Sequence, residues 1–133
     1  MIAQMTIGHL AKAANINIET VRYYQRIELI EQPDKPSKGY RIYPKQTLTR
    51  LHFIKRAQSL GFSLNEIRQL LEMSDEHCQT AAHMAQEKLS LIQTKITDLS
   101  KMATVLEDYT QQCATNTDHT FCPLIDTLSD ELP

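Results

Sequence analysis

A chain of 133 residues with a formal net charge of −2 is large enough for one modest domain, or for a small domain joined to an extended element. No stretch approaches the ~18 apolar residues that a membrane span needs, and MIAQMTIGHL has no basic run leading into an apolar one, so a secretory leader is not expected. Gly occurs only three times, Trp is absent and helix formers dominate, which predicts an all-α protein.

The charge is unevenly placed. Residues 1–72 carry 11 Lys and Arg against 6 Asp and Glu, whereas residues 73–133 carry 3 against 10. A basic front and an acidic back suit a polyanion partner for the front alone, although ordinary surface charge could give the same imbalance.

Thr6 precedes Ile7, Leu10, Ala11 and Ala14, the spacing of a short helix with a hydroxyl cap. Asn15-Ile16-Asn17 breaks it, and Asn17 can cap a second helix, IETVRYYQR, over residues 18–26. Ile18 and Val21 are expected to face inward and Glu19, Thr20, Arg22 and Tyr23 outward. Such a pair is either an ordinary helical hairpin or a helix-turn-helix whose second member enters the major groove, where Arg reads guanine or grips phosphate.

The segment that follows favours DNA. Pro33-Asp34-Lys35-Pro36 blocks helix, and Ser37-Lys38-Gly39-Tyr40-Arg41-Ile42-Tyr43 reads as a small β-turn flanked by extended residues. Its cations and phenols suit a wing that grips the DNA backbone. Two further helices are expected near residues 47–59 and 64–72. Leu51, Ile54, Ala57 and Leu60 form the inward stripe of the first, and Arg50, His52, Lys55 and Arg56 lie on its outer, solvated face. Gly61 suits the left-handed residue that ends it, and Ser63-Leu64-Asn65-Glu66 is a capping box that starts the next.

From Cys78 onward, positions 78, 82, 85, 89, 92, 96, 99, 103, 106, 110 and 113 alternate steps of four and three, and they read Cys, Ala, Ala, Leu, Ile, Ile, Leu, Ala, Leu, Thr, Cys. This is a coiled-coil seam without Pro or Gly, and it requires a partner helix. No second long helix is available in the sequence, so a second copy is the expected partner. A helix rising ~1.5 Å per residue keeps Cys78 and Cys113 roughly 50 Å apart within one chain. In an antiparallel pair centred near residues 95–96, Cys78 of one copy falls beside Cys113 of the other. A parallel pair would set Cys78 against Cys78.

After Cys113 a polar loop, ATNTDHTF, returns to Cys122, and Pro123 suits the first position of a short helix, PLIDTL. Cys78, Cys113 and Cys122 are therefore candidate ligands for a soft metal ion; a lone Cys is more often a small buried apolar residue. Three thiols, an odd number, fit a reducing cytoplasm better than a disulfide framework. His119 in the loop is a possible fourth ligand. As an enzyme, the chain would need Cys and His119 to act as nucleophile and base, yet it has no phosphate loop and no paired carboxylates.

Taken together, TIGHLAKAANINIETVRYYQR, PDKP, GYRIY, RAQSLGFSLNEI and CPLIDTL resemble the MerR family of bacterial metal-responsive regulators over nearly the whole chain, most closely its mercury-responsive branch. The resemblance implies a winged helix-turn-helix domain at 1–72, a long antiparallel dimerisation helix at 73–112 and a metal-binding loop with a short helix at 113–133. It implies a three-thiolate site with Cys78 from one copy of a homodimer and Cys113 and Cys122 from the other, binding mercury(II) at two sites per dimer. It also implies contacts to double-stranded promoter DNA from Glu19, Thr20, Arg22 and Tyr23 and, in the wing, from Tyr40, Arg41 and Tyr43. Such regulators repress without metal; with it they distort a promoter whose spacer is too long for RNA polymerase, and transcription starts. Zinc, cadmium or lead sensing, and thiol-redox sensing, are the alternatives. The chain departs from the family at Ile27-Glu28-Leu29, where a Gly-containing turn is usual, at a cost of up to ~1 kcal/mol.

Overall fold

The computed structural model describes residues 5–130, and these contain helices and no strand. In chain order they are α1 (Ile7–Ala14), α2 (Ile18–Arg26), α3 (Lys45–Ser59), α4 (Leu64–Leu71), α5 (Cys78–Thr115) and α6 (Pro123–Ser129), with a 3-10 turn at Asp75–His77. The chain divides into two compact units, one ending at Ala81 and the other beginning at Ala82.

In the first unit the helix starts follow from the predicted caps. The Thr6 hydroxyl accepts from the His9 N–H, the Asn17 side chain from the Thr20 N–H at 2.7 Å, and Ser63 and Glu66 complete a reciprocal capping box. Each such cap supplies about 1 kcal/mol by satisfying an otherwise orphaned N–H. Gly61 takes the left-handed conformation (φ +90°) just after α3, as the sequence predicts, and Asn15 does the same after α1 (φ +56°). The α3 helix begins two residues earlier than expected, at Lys45, because Pro44 holds the extended backbone of an N-cap.

Helix α1 packs on α2 and α3, and α3 packs on α4. Between them lies a core in which Leu10, Val21, Leu29, Leu51, Ile54 and Ile67 are essentially without solvent contact. Ile18, expected inside, is 36 % exposed instead. The 37–43 segment is a bend with Gly39 at φ +87° rather than a paired hairpin, and the Tyr43 N–H ties its end to the Met5 carbonyl at 2.8 Å.

The outer face of α3 departs from its expected role as solvated charge. Lys55 Nζ donates to the carbonyls of Ala14 and Asn15 at 3.1 and 3.0 Å, at the carbonyl end of α1. Arg50 Nε donates to the Leu29 carbonyl at 2.5 Å. Arg68, on α4, donates to the carbonyls of Ile27 and Glu28. The turn after α2 is therefore held by two guanidinium groups that local pattern does not reveal.

The second unit contains most of α5 together with the loop and α6. Helix α5 runs unbroken for 38 residues and has no buried residue. Its seam side chains Leu89, Ile92, Ile96, Leu99 and Leu106 are all exposed. No described helix is long and apolar enough to cross a membrane.

Candidate DNA-binding surface and thiol site

The α1 start, α2 and the 39–43 loop enclose an open concavity of about 900 Å³. Arg22, Tyr40, Arg41 and Tyr43, four of the residues expected on DNA, line it, together with Arg26 and Lys35. Four cations on one hollow make a positive surface suited to a phosphate backbone. Tyr40 is 79 % exposed. Arg41 is positioned by donating from Nε to the Pro33 carbonyl at 2.9 Å. The Arg26 guanidinium lies 5.7 Å from the centre of the half-exposed Tyr23 ring.

Glu19 pairs with Arg22 at 2.7 Å, with both side chains more than half exposed. A pair this exposed contributes at most about 1 kcal/mol, so a phosphate can compete for the guanidinium. The Thr20 hydroxyl donates to Asn17 Oδ1 at 2.7 Å. Tyr43 is buried and its hydroxyl donates to Gln25 Oε1; burial raises its pKa above the ordinary tyrosine value, against smaller lowering by Arg41, Gln25 and Arg22. Sequence pattern does not mark Lys35 and Arg26 as lining this hollow; the available signal is their positive charge beside the PDKP break and at the α2 end.

The thiol site lies in the second unit. Cys113, near the end of α5, and Cys122, the residue before α6, bring their sulfurs to 4.0 Å; both are half-buried and free. The loop between them is fixed by its own polar side chains. Asn116 Nδ2 donates to the Asp118 and Phe121 carbonyls at 3.0 and 2.6 Å, and Asp118 Oδ1 accepts from the Thr120 N–H and hydroxyl at 2.9 and 2.6 Å. Those two Thr120 donors hold the Asp118 carboxyl below its ordinary pKa. The polar run NTDHT advertises a turn in sequence, but not that it would set two sulfurs side by side.

The Ile125 backbone N–H lowers the Cys122 pKa below that of an ordinary thiol; desolvation opposes it, and Cys113 and the Leu124 N–H add to the lowering. The thiolate is the form that binds soft metals. Two sulfurs each ~2.3 Å from a shared ion sit about 3.8 Å apart at a tetrahedral angle and about 4.0 Å apart at a trigonal one, so the observed spacing fits two thiolates on one ion. Among the described residues of one chain, no three His, Cys, Asp or Glu side chains form a metal-sized group. Neither His119 nor Cys78, which is exposed at the start of α5, joins the pair within one chain.

The family profile described as MerR HTH family regulatory protein matches residues 5–74, and a second, described as MerR, DNA binding, matches residues 48–109. The chain belongs to the MerR family. This MerR-family chain is 44% identical over 131 residues to the mercuric resistance operon regulatory protein of Serratia marcescens, covering 98% of the chain and 91% of that protein. Among solved structures it resembles the dual function regulator MerR of Bacillus megaterium in complex with mercury(II), with a TM-score of 0.72, 42% identity and coverage of 94% and 99%. It also resembles a Ralstonia metallidurans transcription regulator in complex with lead(II), with a TM-score of 0.77, 28% identity and the same coverage. These neighbours are regulators of the family, and they agree with the all-α architecture of a helix-turn-helix followed by a long helix.

Proposed function

We propose that this MerR-family chain is a mercury(II)-responsive regulator of a mercury resistance operon, acting as a cytoplasmic homodimer on double-stranded promoter DNA. The observation that carries the reading is the pairing of two free thiols at 4.0 Å in a chain 44% identical, nearly end to end, to a mercuric resistance regulator. Residues 1–72 form the winged DNA-binding domain, 73–112 the dimerisation helix and 113–133 the metal loop. Two α5 helices pair antiparallel through the exposed Leu89–Leu106 stripe, which a lone helix leaves in water. Cys78 of one protomer then completes the Cys113–Cys122 pair of the other, giving two mercury sites per dimer.

Glu19, Thr20, Arg22 and Tyr23 contact the major groove, and Tyr40 and Arg41 the adjoining backbone; Tyr43, expected beside them from sequence, is buried and supports the loop through Gln25 instead. Without metal the dimer holds the promoter closed to RNA polymerase; with metal it distorts the DNA so that transcription starts. A lead-bound neighbour has the higher TM-score, which makes lead the reading to be tested against; the mercury-bound neighbour shares 42% identity against 28% and supports mercury.

The test is titration of the operator-bound dimer with mercury, zinc, cadmium and lead, read by sulfur-to-metal absorption and by transcription. Mercury is expected to act at the lowest concentration, to saturate at two ions per dimer, and to lose its effect in Cys78→Ser, Cys113→Ser and Cys122→Ser. Activation by lead or zinc at a lower concentration would overturn the mercury assignment.

A further inference from the structure

The spacing of Cys113 and Cys122 has a chemical consequence apart from metal. Their sulfurs are 4.0 Å apart, and a disulfide needs about 2.0 Å. The two sulfurs must therefore approach each other by about 2 Å to bond. The backbone is already held, because Asn116 and Asp118 hydrogen-bond across the intervening loop. Ring closure thus adds little ordering to a loop that is ordered beforehand. Cys78 has no such neighbour in its own chain and is exposed.

We propose that Cys113 and Cys122 form an intrachain disulfide under peroxide, and that this modification switches off metal sensing. The Cys122 thiolate attacks one oxygen of hydrogen peroxide and the O–O bond breaks, leaving a sulfenic acid on Cys122 and releasing hydroxide. The Cys113 thiolate then attacks the Cys122 sulfur; the S–S bond forms, the S–O bond breaks and the departing hydroxide leaves as water. Overall, two thiols lose two electrons and two protons, and one peroxide becomes two waters. The two sulfurs face each other across the same 4.0 Å, so exchanging their roles gives the same product. The loss of metal response rests on the reading of the two thiols as ligands; the disulfide itself does not.

The experiment treats the reduced full-length dimer with hydrogen peroxide, maps cysteines by mass spectrometry without reduction, and then measures mercury binding before and after dithiothreitol. The expected product is a peptide linked between Cys113 and Cys122 that has lost two hydrogens, formed also in Cys78→Ser. It is formed more slowly in Asn116→Ala, whose loop is no longer held. Mercury-dependent absorption should vanish on oxidation and return on reduction. A sulfinic acid accumulating on Cys122, or a first disulfide that involves Cys78 or links two chains, would overturn the proposal. A Cys113–Cys122 disulfide that forms while Cys113→Ser still binds mercury fully would leave the modification standing and remove the metal reading instead.

Discussion

Glu28 holds φ at +61° in the turn that follows α2, a conformation glycine adopts freely and glutamate does not. Its side chain is exposed, and its carbonyl accepts from Arg68, a bond glycine would keep. Glu28→Gly should therefore relieve strain worth more than the entropy glycine adds to the unfolded chain. A net gain of up to about 0.5 kcal/mol is expected in urea unfolding. The departure from the family's Gly was visible in sequence; the positive φ that gives it meaning is seen only in the folded turn. Cys122 is the other residue whose setting alters its chemistry. Its lowered pKa means that, as pH falls, the folded protein keeps the thiolate after an ordinary thiol has protonated. Any stability this contributes is present above the ordinary thiol value and is lost as pH falls through the lowered one. The pH midpoint of Cys122 alkylation by iodoacetamide should accordingly lie lower in the native protein than in urea. Equal midpoints would show that the Ile125 N–H has no such influence.

At the scale of elements, local rules carry far. Thr6, Asn17, Ser63 and Gly61 mark helix ends because caps and left-handed residues act within a turn of themselves, and that is the range sequence pattern can see. The unbroken α5 helix was legible for the same reason: its four-three spacing lacks Pro and Gly. What escaped were bonds across 20 to 40 residues. Lys55, read as surface charge, reaches the Ala14 and Asn15 carbonyls, where a cation also meets the negative end of α1. Lys55→Met should keep the packing of the stem and lose both bonds, at a cost of about 1 kcal/mol seen as a lower denaturation midpoint. The seam of α5 gives a second test. Leu99 is 62 % exposed in one chain and lies in the proposed dimer contact. Leu99→Asp would bury a charge there and should weaken dimerisation by about 100-fold or more, measured by sedimentation, while the helical content of the first unit is preserved. An unshifted dimer would place the contact elsewhere.

For the whole molecule, positive charge is concentrated in residues 1–72 and negative charge in residues 73–133. The basic front was apparent from counting, but which cations act together was not, since Arg22, Arg26, Lys35 and Arg41 come from a helix and the loop after it, which only folding gathers around one hollow. Likewise three cysteines are plain in sequence, while the approach of two of them, Cys113 and Cys122, depends on a loop braced by Asn116 and Asp118. The hollow makes a quantitative prediction about DNA. Each phosphate contact that a cation makes releases counterions, so affinity falls with salt at a slope of about −0.9 per contact. Lys35 lies in the loop beside the hollow, exposed, where an ammonium suits phosphate and not a base edge. Lys35→Gln should lower affinity by a similar factor on operator and on random DNA and flatten the log–log salt dependence by about 1. Arg22, on the exposed face of α2 and freed from Glu19 on binding, should behave differently. If it reads a base, Arg22→Gln should reduce operator affinity by about 1–3 kcal/mol and random-sequence affinity far less. Fluorescence anisotropy with both DNAs over a range of salt separates the two patterns. The same slope and the same loss of selectivity in both variants would mean that the hollow grips the backbone without reading it, and would shift sequence recognition from Arg22 to its neighbours on α2.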